Sequence, residues 1–380
     1  MGTSRHNSLI ALGALLVLAS AAFARADDTA AAKFRTEKNG WALATLKLGD
    51  TKLRVIIDTG ATATLVDARF RHCLGAEVGT GQASSAVASS TVSRYACTGG
   101  TVGGLELGLP ALVCVDLGEG WRGMGVDGVL GLDFLSRYCV DFDWEAGRVT
   151  ISDQHPPPIA GHVDIPLISD NLGLPYLIAD CGSARRLRML VDTGFYRAVA
   201  LSAKDESKVF PNGWGKSIKS NTTTLHGETR GQLTRLPRLA VDGLESTNLL
   251  CEVGDSRAKT TCVGCGFLRR YHAIFDFPKN TLTLIPRAKP ITDEEDMSGL
   301  DVRRSNKVVL AYHVENGSPA FRAGLRGGEI VLGVDGVDAS RLRAEDIRAR
   351  LKTGDGKIVR LRLKDGRGER EVKIVLVRRI

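Results

Sequence analysis

The sequence lacks the signatures of most hydrolases and transferases. Its 380 residues contain no Gly-x-Ser-x-Gly, no His-Glu-x-x-His and no Gly-x-x-x-x-Gly-Lys-Ser/Thr. That excludes a serine nucleophile elbow, a helix-borne zinc pair and a phosphate loop. Residues 118–131 are rich in glycine but hold no lysine and lack the strand-to-helix setting of a nucleotide site. The seven histidines are scattered, and Cys262-Val263-Gly264-Cys265 has no second CxxC or histidine pair to complete a zinc site, so it reads as structural. No metal and no organic cofactor is expected. Aromatic residues make up only 6% of the chain and do not alternate with basic ones, so nucleic acid is not an expected partner.

Long apolar runs are equally scarce. The one candidate stretches from Leu9 to Ala24, follows Arg5 and His6, and leads into Ala24-Arg25-Ala26. It is short for a bilayer span and ends in a small-x-small cleavage pattern, so residues 1–26 read as a signal peptide. The expectation is an exported protein, periplasmic or secreted, with no stable membrane span. All eight cysteines follow that leader, four around each half of the next 260 residues, which predicts disulfides paired within each half. The net charge of +8 is confined to one end: residues 27–296 sum to −2 and residues 297–380 to +8. The terminal segment is either a solvated surface rich in Arg or one that attracts acidic peptides or anionic lipid.

What the sequence does have is a duplication. Leu53, Val55, Ile56 and Ile57 lead into Asp58-Thr59-Gly60; Met189, Leu190 and Val191 lead into Asp192-Thr193-Gly194. Downstream, Val129-Leu130-Gly131 and Cys262-Val263-Gly264 each precede a similar stretch ending in Phe-Asp, at Phe142-Asp143 and Phe275-Asp276. The Asp residues are 134 apart and Gly131 and Gly264 are 133 apart, so two landmarks recur at nearly one offset. Short apolar runs between Gly, Asn, Asp and Pro predict mostly β lobes, with a short helix after each hydrophobic-hydrophobic-Gly element. Breaks are expected at residues 153–160, with Pro156-Pro157-Pro158, and at 287–296, with an acidic run. Two carboxylates facing one another can share a proton and activate a water.

On these residues the chain resembles the aspartic proteases of the pepsin and retropepsin clan over residues 38–287, as two fused retropepsin-like lobes, 38–152 and 161–287. The resemblance implies a bilobal acid-protease β fold acting on peptides or unfolded proteins. It makes Asp58 and Asp192 catalytic, has Thr59 and Thr193 interlock, and has Gly131 and Gly264 support the loops. Gly60 and Gly194 are expected to permit the tight turn at each Asp. Ala61 fits the retropepsin pattern; Phe195 fits neither pattern, and either reshapes a pocket or marks a weakened dyad. The weakened case is a peptide-binding protein of the same fold. Without a hydroxyl at position 61 the pair is expected to titrate higher, giving a mildly acidic optimum. Residues 79–96 and 219–233 are candidate hairpin flaps, with Tyr95 as a candidate substrate contact.

Residues 297–380 resemble a small α+β PDZ domain, on Gly317-Ser318-Pro319-Ala320, Ala323-Gly324-Leu325 and the stretch from Gly328 to Gly336. Ser318-Pro319 is a good helix start. The resemblance implies that Gly299 and Leu300 form a loop for a peptide C-terminal carboxylate, with the peptide strand added to a sheet edge. Asp301 departs from the usual apolar residue there, which leaves a purely structural module as the alternative.

Overall fold

A computed structural model describes residues 31–380 apart from 38, 39, 86, 87, 290, 292, 306 and 307. The leader therefore lies outside the described residues. Among them no helix is long and apolar enough to cross a membrane. The described residues are mainly β, in sheets of fifteen, eight and six strands.

In the first lobe, Ala42–Leu48 alternates buried and outward positions and turns back antiparallel into Thr51–Ile57, whose last three residues are buried. A strand buried on both faces reads as an unbroken apolar run rather than an alternating one. Gly128–Leu130 slots in parallel to it, Leu130 opposite Ile57, and antiparallel to Leu65–Asp67. The second lobe repeats this plan. Pro175–Cys181 turns into Ala184–Val191, which pairs in parallel with Cys262–Val263, Val263 opposite Val191. The short helices Leu132–Leu135 and Cys265–Leu268 follow the two hydrophobic-hydrophobic-Gly elements, as expected.

Next in each lobe comes the strand that joins them. Cys139–Asp143 pairs antiparallel with Tyr271–Asp276, Val140 opposite Phe275, inside the fifteen-stranded sheet. Arg148–Ser152 and Ala31–Thr36 extend it on one side, Thr281–Pro286 and Val163–Pro166 on the other. Phe142 and Phe275 are fully buried and meet edge to face at 5.6 Å, and one apolar core runs through both lobes.

Residues from Met297 onward close a separate core. Its sheet runs in the order Leu300–Ser305, Val308–Val314, Ile330–Val334, Ile358–Asp365, Gly368–Val375. Ser318 caps the helix Pro319–Arg322, its hydroxyl accepting from the Phe321 N–H at 3.2 Å, with Pro319 in the first turn.

The disulfide expectation is corrected: all eight cysteines are free thiols. Five are buried among apolar side chains. Of these, Cys265 donates to the Thr193 carbonyl at 3.1 Å, and the half-buried Cys73 to Thr51 Oγ1 at 3.3 Å. These thiols serve as packing and hydrogen-bonding groups, roles that an even count cannot distinguish from pairing.

Candidate active site

Both Asp-Thr-Gly loops begin where a buried strand loses its ladder partner. The Asp58 N–H donates to Leu130 O at 3.0 Å and the Asp192 N–H to Val263 O at 2.9 Å. Each loop is thus fastened to the element that threads beside it. One residue further the lobes interlock. The Thr59 N–H donates to Thr193 Oγ1 at 3.0 Å and the Thr193 N–H to Thr59 Oγ1 at 3.1 Å. Each hydroxyl then donates across the interface, Thr59 to Val191 O at 2.6 Å and Thr193 to Ile57 O at 2.7 Å. Both threonines are completely buried, so removing one would strand donors and acceptors at about 1–3 kcal/mol each.

That interlock brings the two carboxylates together. A Cβ on Gly60 would lie 2.5 Å from Asp192 Cγ, and one on Gly194 would lie 2.3 Å from Asp58 Oδ2. Neither glycine has a left-handed backbone. The expectation that they serve the turn is therefore corrected: they are glycines because the opposite carboxylate occupies the space of a side chain. Gly131 and Gly264 follow the same logic, since their Cβ atoms would meet the Ala63 carbonyl carbon at 2.6 Å and Phe195 O at 2.2 Å.

The pair sits in a shared electrostatic well. Burial raises Asp58 well above the usual carboxylate range and the neighbouring Asp192 charge raises it further, against a 2.8 Å hydrogen bond from the Gly60 N–H. Burial raises Asp192 as well, opposed by the Phe195 N–H at 3.0 Å and by a hydrogen bond from Asp58. Both carboxylates are raised chiefly by burial, and each accepts backbone N–H donors, so the two titrate as one pair that holds a shared proton.

Phe195 does not disturb this arrangement. Its N–H serves Asp192, its carbonyl accepts from the Cys265 N–H at 2.8 Å, and its Cδ1 lies 2.6 Å from where a Gly264 Cβ would be. The bulky side chain is accommodated where Gly264 has none. The lobes differ in what braces them. In the first, Thr64 donates from Oγ1 and N to the Asp133 carboxylate at 2.6 and 2.8 Å; at the same offset the second has Ala198 and Gly266.

Two hairpins, one from each lobe, approach one another. The first pairs Glu77–Ser84 with Ser89–Ala96 and the second pairs Ile218–Thr224 with the start of Gly227–Val241. Their tips meet: His226 Nε2 lies 2.9 Å from Ser90 Oγ and its Nδ1 lies 3.0 Å from Ser85 Oγ. Tyr95 is not at a tip. It pairs with Glu77 at the hairpin base, beneath the Arg71 guanidinium at 3.8 Å.

Trp41 is a site residue that sequence reasoning missed. Its Nε1–H donates to Gly194 O at 2.8 Å, and its ring stacks on Trp121 at 6.1 Å and meets the edge of Tyr196. Trp121 in turn donates to Thr224 O in the second hairpin at 3.1 Å. Four tryptophans in the chain were the available signal.

Gly299 and Leu300 belong to the separate C-terminal core rather than to this site. The Gly299 N–H donates to Asp296 Oδ2 at 2.5 Å, the Ser298 N–H to Asp296 Oδ1 at 3.0 Å, and the Leu300 N–H to Ser298 Oγ at 3.0 Å. The N–H groups expected to receive a peptide carboxylate are bonded to the chain's own side chains. Arg348 also donates to Val302 O on the edge strand at 2.6 Å. Among the described residues no cluster of His, Cys, Asp and Glu has the form of a metal site.

No curated protein sequence matches the chain. A solved structure that resembles it is the aspartic proteinase from Irpex lacteus, at 15% identity and TM-score 0.47, covering 68% of this chain and 98% of that one. Residues 44–134, which span the first Asp-Thr-Gly loop and its Leu130-Gly131 support, match a family model described as "Aspartyl protease". That match, together with the mainly β and duplicated lobes, is consistent with a bilobal acid-protease fold.

Proposed function

We propose that the protein is an exported aspartic endopeptidase that hydrolyses peptide bonds with a water held between Asp58 and Asp192. The observation that carries this reading is the mutual fit of the loops: each glycine vacates the volume that the opposite carboxylate fills. A buried pair that is costly to ionise twice keeps one proton. The ionised carboxylate takes a proton from the water as it attacks the scissile carbonyl. The protonated one hydrogen-bonds the developing oxyanion, and proton transfer to the leaving nitrogen completes cleavage. The Aspartyl protease match over residues 44–134 supports peptides as the substrate class. Export rests on the sequence of residues 1–26. For residues 297–380, a PDZ-like module that braces the protease accords better with the internally bonded loop at Gly299 and Leu300 than one that captures a free C-terminus.

The test compares the unmodified protein with Asp58→Asn and Asp192→Asn on a mixed peptide library across pH. Both variants are expected to lose at least about 1,000-fold in kcat/KM, the scale on which an essential acid–base group acts. The unmodified profile should peak in mildly acidic solution. Activity that survives Asp192→Asn overturns the dyad, and a peak near about pH 2 overturns the raised titration of the pair.

A further inference from the structure

The acidic run from Asp293 to Asp296 has the composition of a solvated linker. In the structure it is a strap held from both sides. Asp293 pairs with Arg269 of the second lobe at 3.2 Å, and Glu294 pairs with Arg378 of the C-terminal module at 2.6 Å and lies 3.6 Å from Arg235 of the second lobe. Glu295 does both. It forms an ion pair with Arg197 of the second lobe and lies 3.5 Å from Lys352 Nζ of the module.

Arg197 is three residues beyond Gly194. Its side chain is nine-tenths buried, and its carbonyl accepts from the Gly266 N–H at 3.0 Å behind the loop. Besides Glu295 it meets Glu252, Nε lying 2.6 Å from Oε1, though that N–H is not aligned for a hydrogen bond. Glu252 also accepts from Thr222 Oγ1 at 2.5 Å and Ser220 Oγ at 3.0 Å, both on the outgoing strand of the second hairpin. A continuous set of charged contacts, largely buried from Glu295 inward, therefore runs from the half-buried Lys352 through Glu295 and Arg197 to Glu252 and the hairpin.

We infer that Glu295 is a positioning residue for the Asp192 loop and the second hairpin, and that the C-terminal module acts on the cleft by holding Glu295 against Arg197. The catalytic half of this inference rests on the aspartic-protease reading; the mechanical half does not. Removing one partner of a buried ion pair leaves the other uncompensated, and here that partner is Arg197, behind the Asp192 loop. Arg197 then relaxes toward water or over-binds Glu252, and either change alters what Glu252 offers Thr222. Displacement of the module by a partner would have the same effect, so the strap can convey the state of one core to the other.

The test uses full-length protein with Glu295→Ala, Glu295→Gln and, as a control, Glu369→Gln at an exposed position of the module. Hydrogen exchange is followed in residues 192–200 and 218–224, and kcat and KM are measured on one cleaved peptide. Glu295→Ala is expected to speed exchange in both segments by about tenfold or more, on the scale of local opening, and to lower kcat more than it raises KM. Glu295→Gln keeps a hydrogen-bonding oxygen and should fall between, while Glu369→Gln should match the unmodified protein. Unchanged exchange in both segments for the Ala and Gln variants overturns the inference, whatever their activity. Should Glu295→Ala fail to fold, the Gln variant decides alone. A chain that cleaves no peptide in any form defeats the protease reading and leaves the exchange result to decide the strap.

Discussion

Asp58 carries a measurable cost of being where it is. Its folded-state pKa is raised, first by burial and then by Asp192. An acid raised on folding keeps its proton at pH values where the unfolded chain has already lost its own, so stability falls as pH rises from the unfolded value through the folded one. Asp58→Asn removes that penalty. The variant should melt higher than the unmodified protein at pH 7, by about 2–4 °C for each kcal/mol recovered. The gap should close as the solution is acidified toward the ordinary carboxylate pKa. Melting curves taken across that range check it, and a gap that widens on acidification contradicts it. The same crowding explains Gly60 and Gly194, whose role was legible only as to residue type. A tripeptide ending in glycine looks like a turn from sequence alone, because the atom that forbids a Cβ belongs to a residue more than 130 positions away.

At the scale of elements, the two hairpins form a closed arch because one imidazole engages a hydroxyl on either side of the opposing turn. The first hairpin is rich in Ser, Thr, Gly and Ala, and among its described residues Val92 is the one buried apolar side chain, so the His226 contacts are a large share of what holds its tip. His226→Ala should raise KM several-fold, about 1 kcal/mol for each hydrogen bond lost, with the pH profile of kcat unmoved because the dyad is untouched. A variant with unaltered KM would show that the tips close without the histidine. The hairpins themselves were legible, since their boundaries follow turn-forming and small residues. The short helices were legible from the duplicated hydrophobic-hydrophobic-Gly spacing. Trp41 was not, because its partner Gly194 lies 153 residues away and no local pattern marks a ring that braces a distant carbonyl. At the loop of Gly299, left between peptide capture and a structural role on sequence alone, the internal hydrogen bonds favour the structural role for a related reason. Asp296, three residues upstream, supplies the acceptor that an incoming peptide would have brought.

Across the whole molecule, the free thiols separate two ideas that sequence reading had joined, an export signal and a disulfide framework. Burial pushes the Cys139 and Cys181 thiols up to about 12, and it also raises Cys251 and Cys262. Protonated thiols are poor nucleophiles. Alkylation of the native protein near neutral pH should therefore spare the buried cysteines, whereas alkylation in denaturant without reductant should label all eight. A mass spectrum that shows fewer labels before reduction than after it would restore the disulfides. The size of the core makes their absence tolerable, because a chain of this length buries enough apolar surface without covalent staples.

The strand pairing between Cys139–Asp143 and Tyr271–Asp276 has a further consequence for traffic through the cleft. Main-chain hydrogen bonds and the Phe142–Phe275 contact weld the two halves along their floor, while the buried threonines rivet them again just beneath the carboxylates. A jaw that opened by swinging one half away from the other would have to tear both seams. On the proposed aspartic-protease reading, a polypeptide is therefore threaded in under an arch that parts at its keystone, and the two fragments leave by the same doorway.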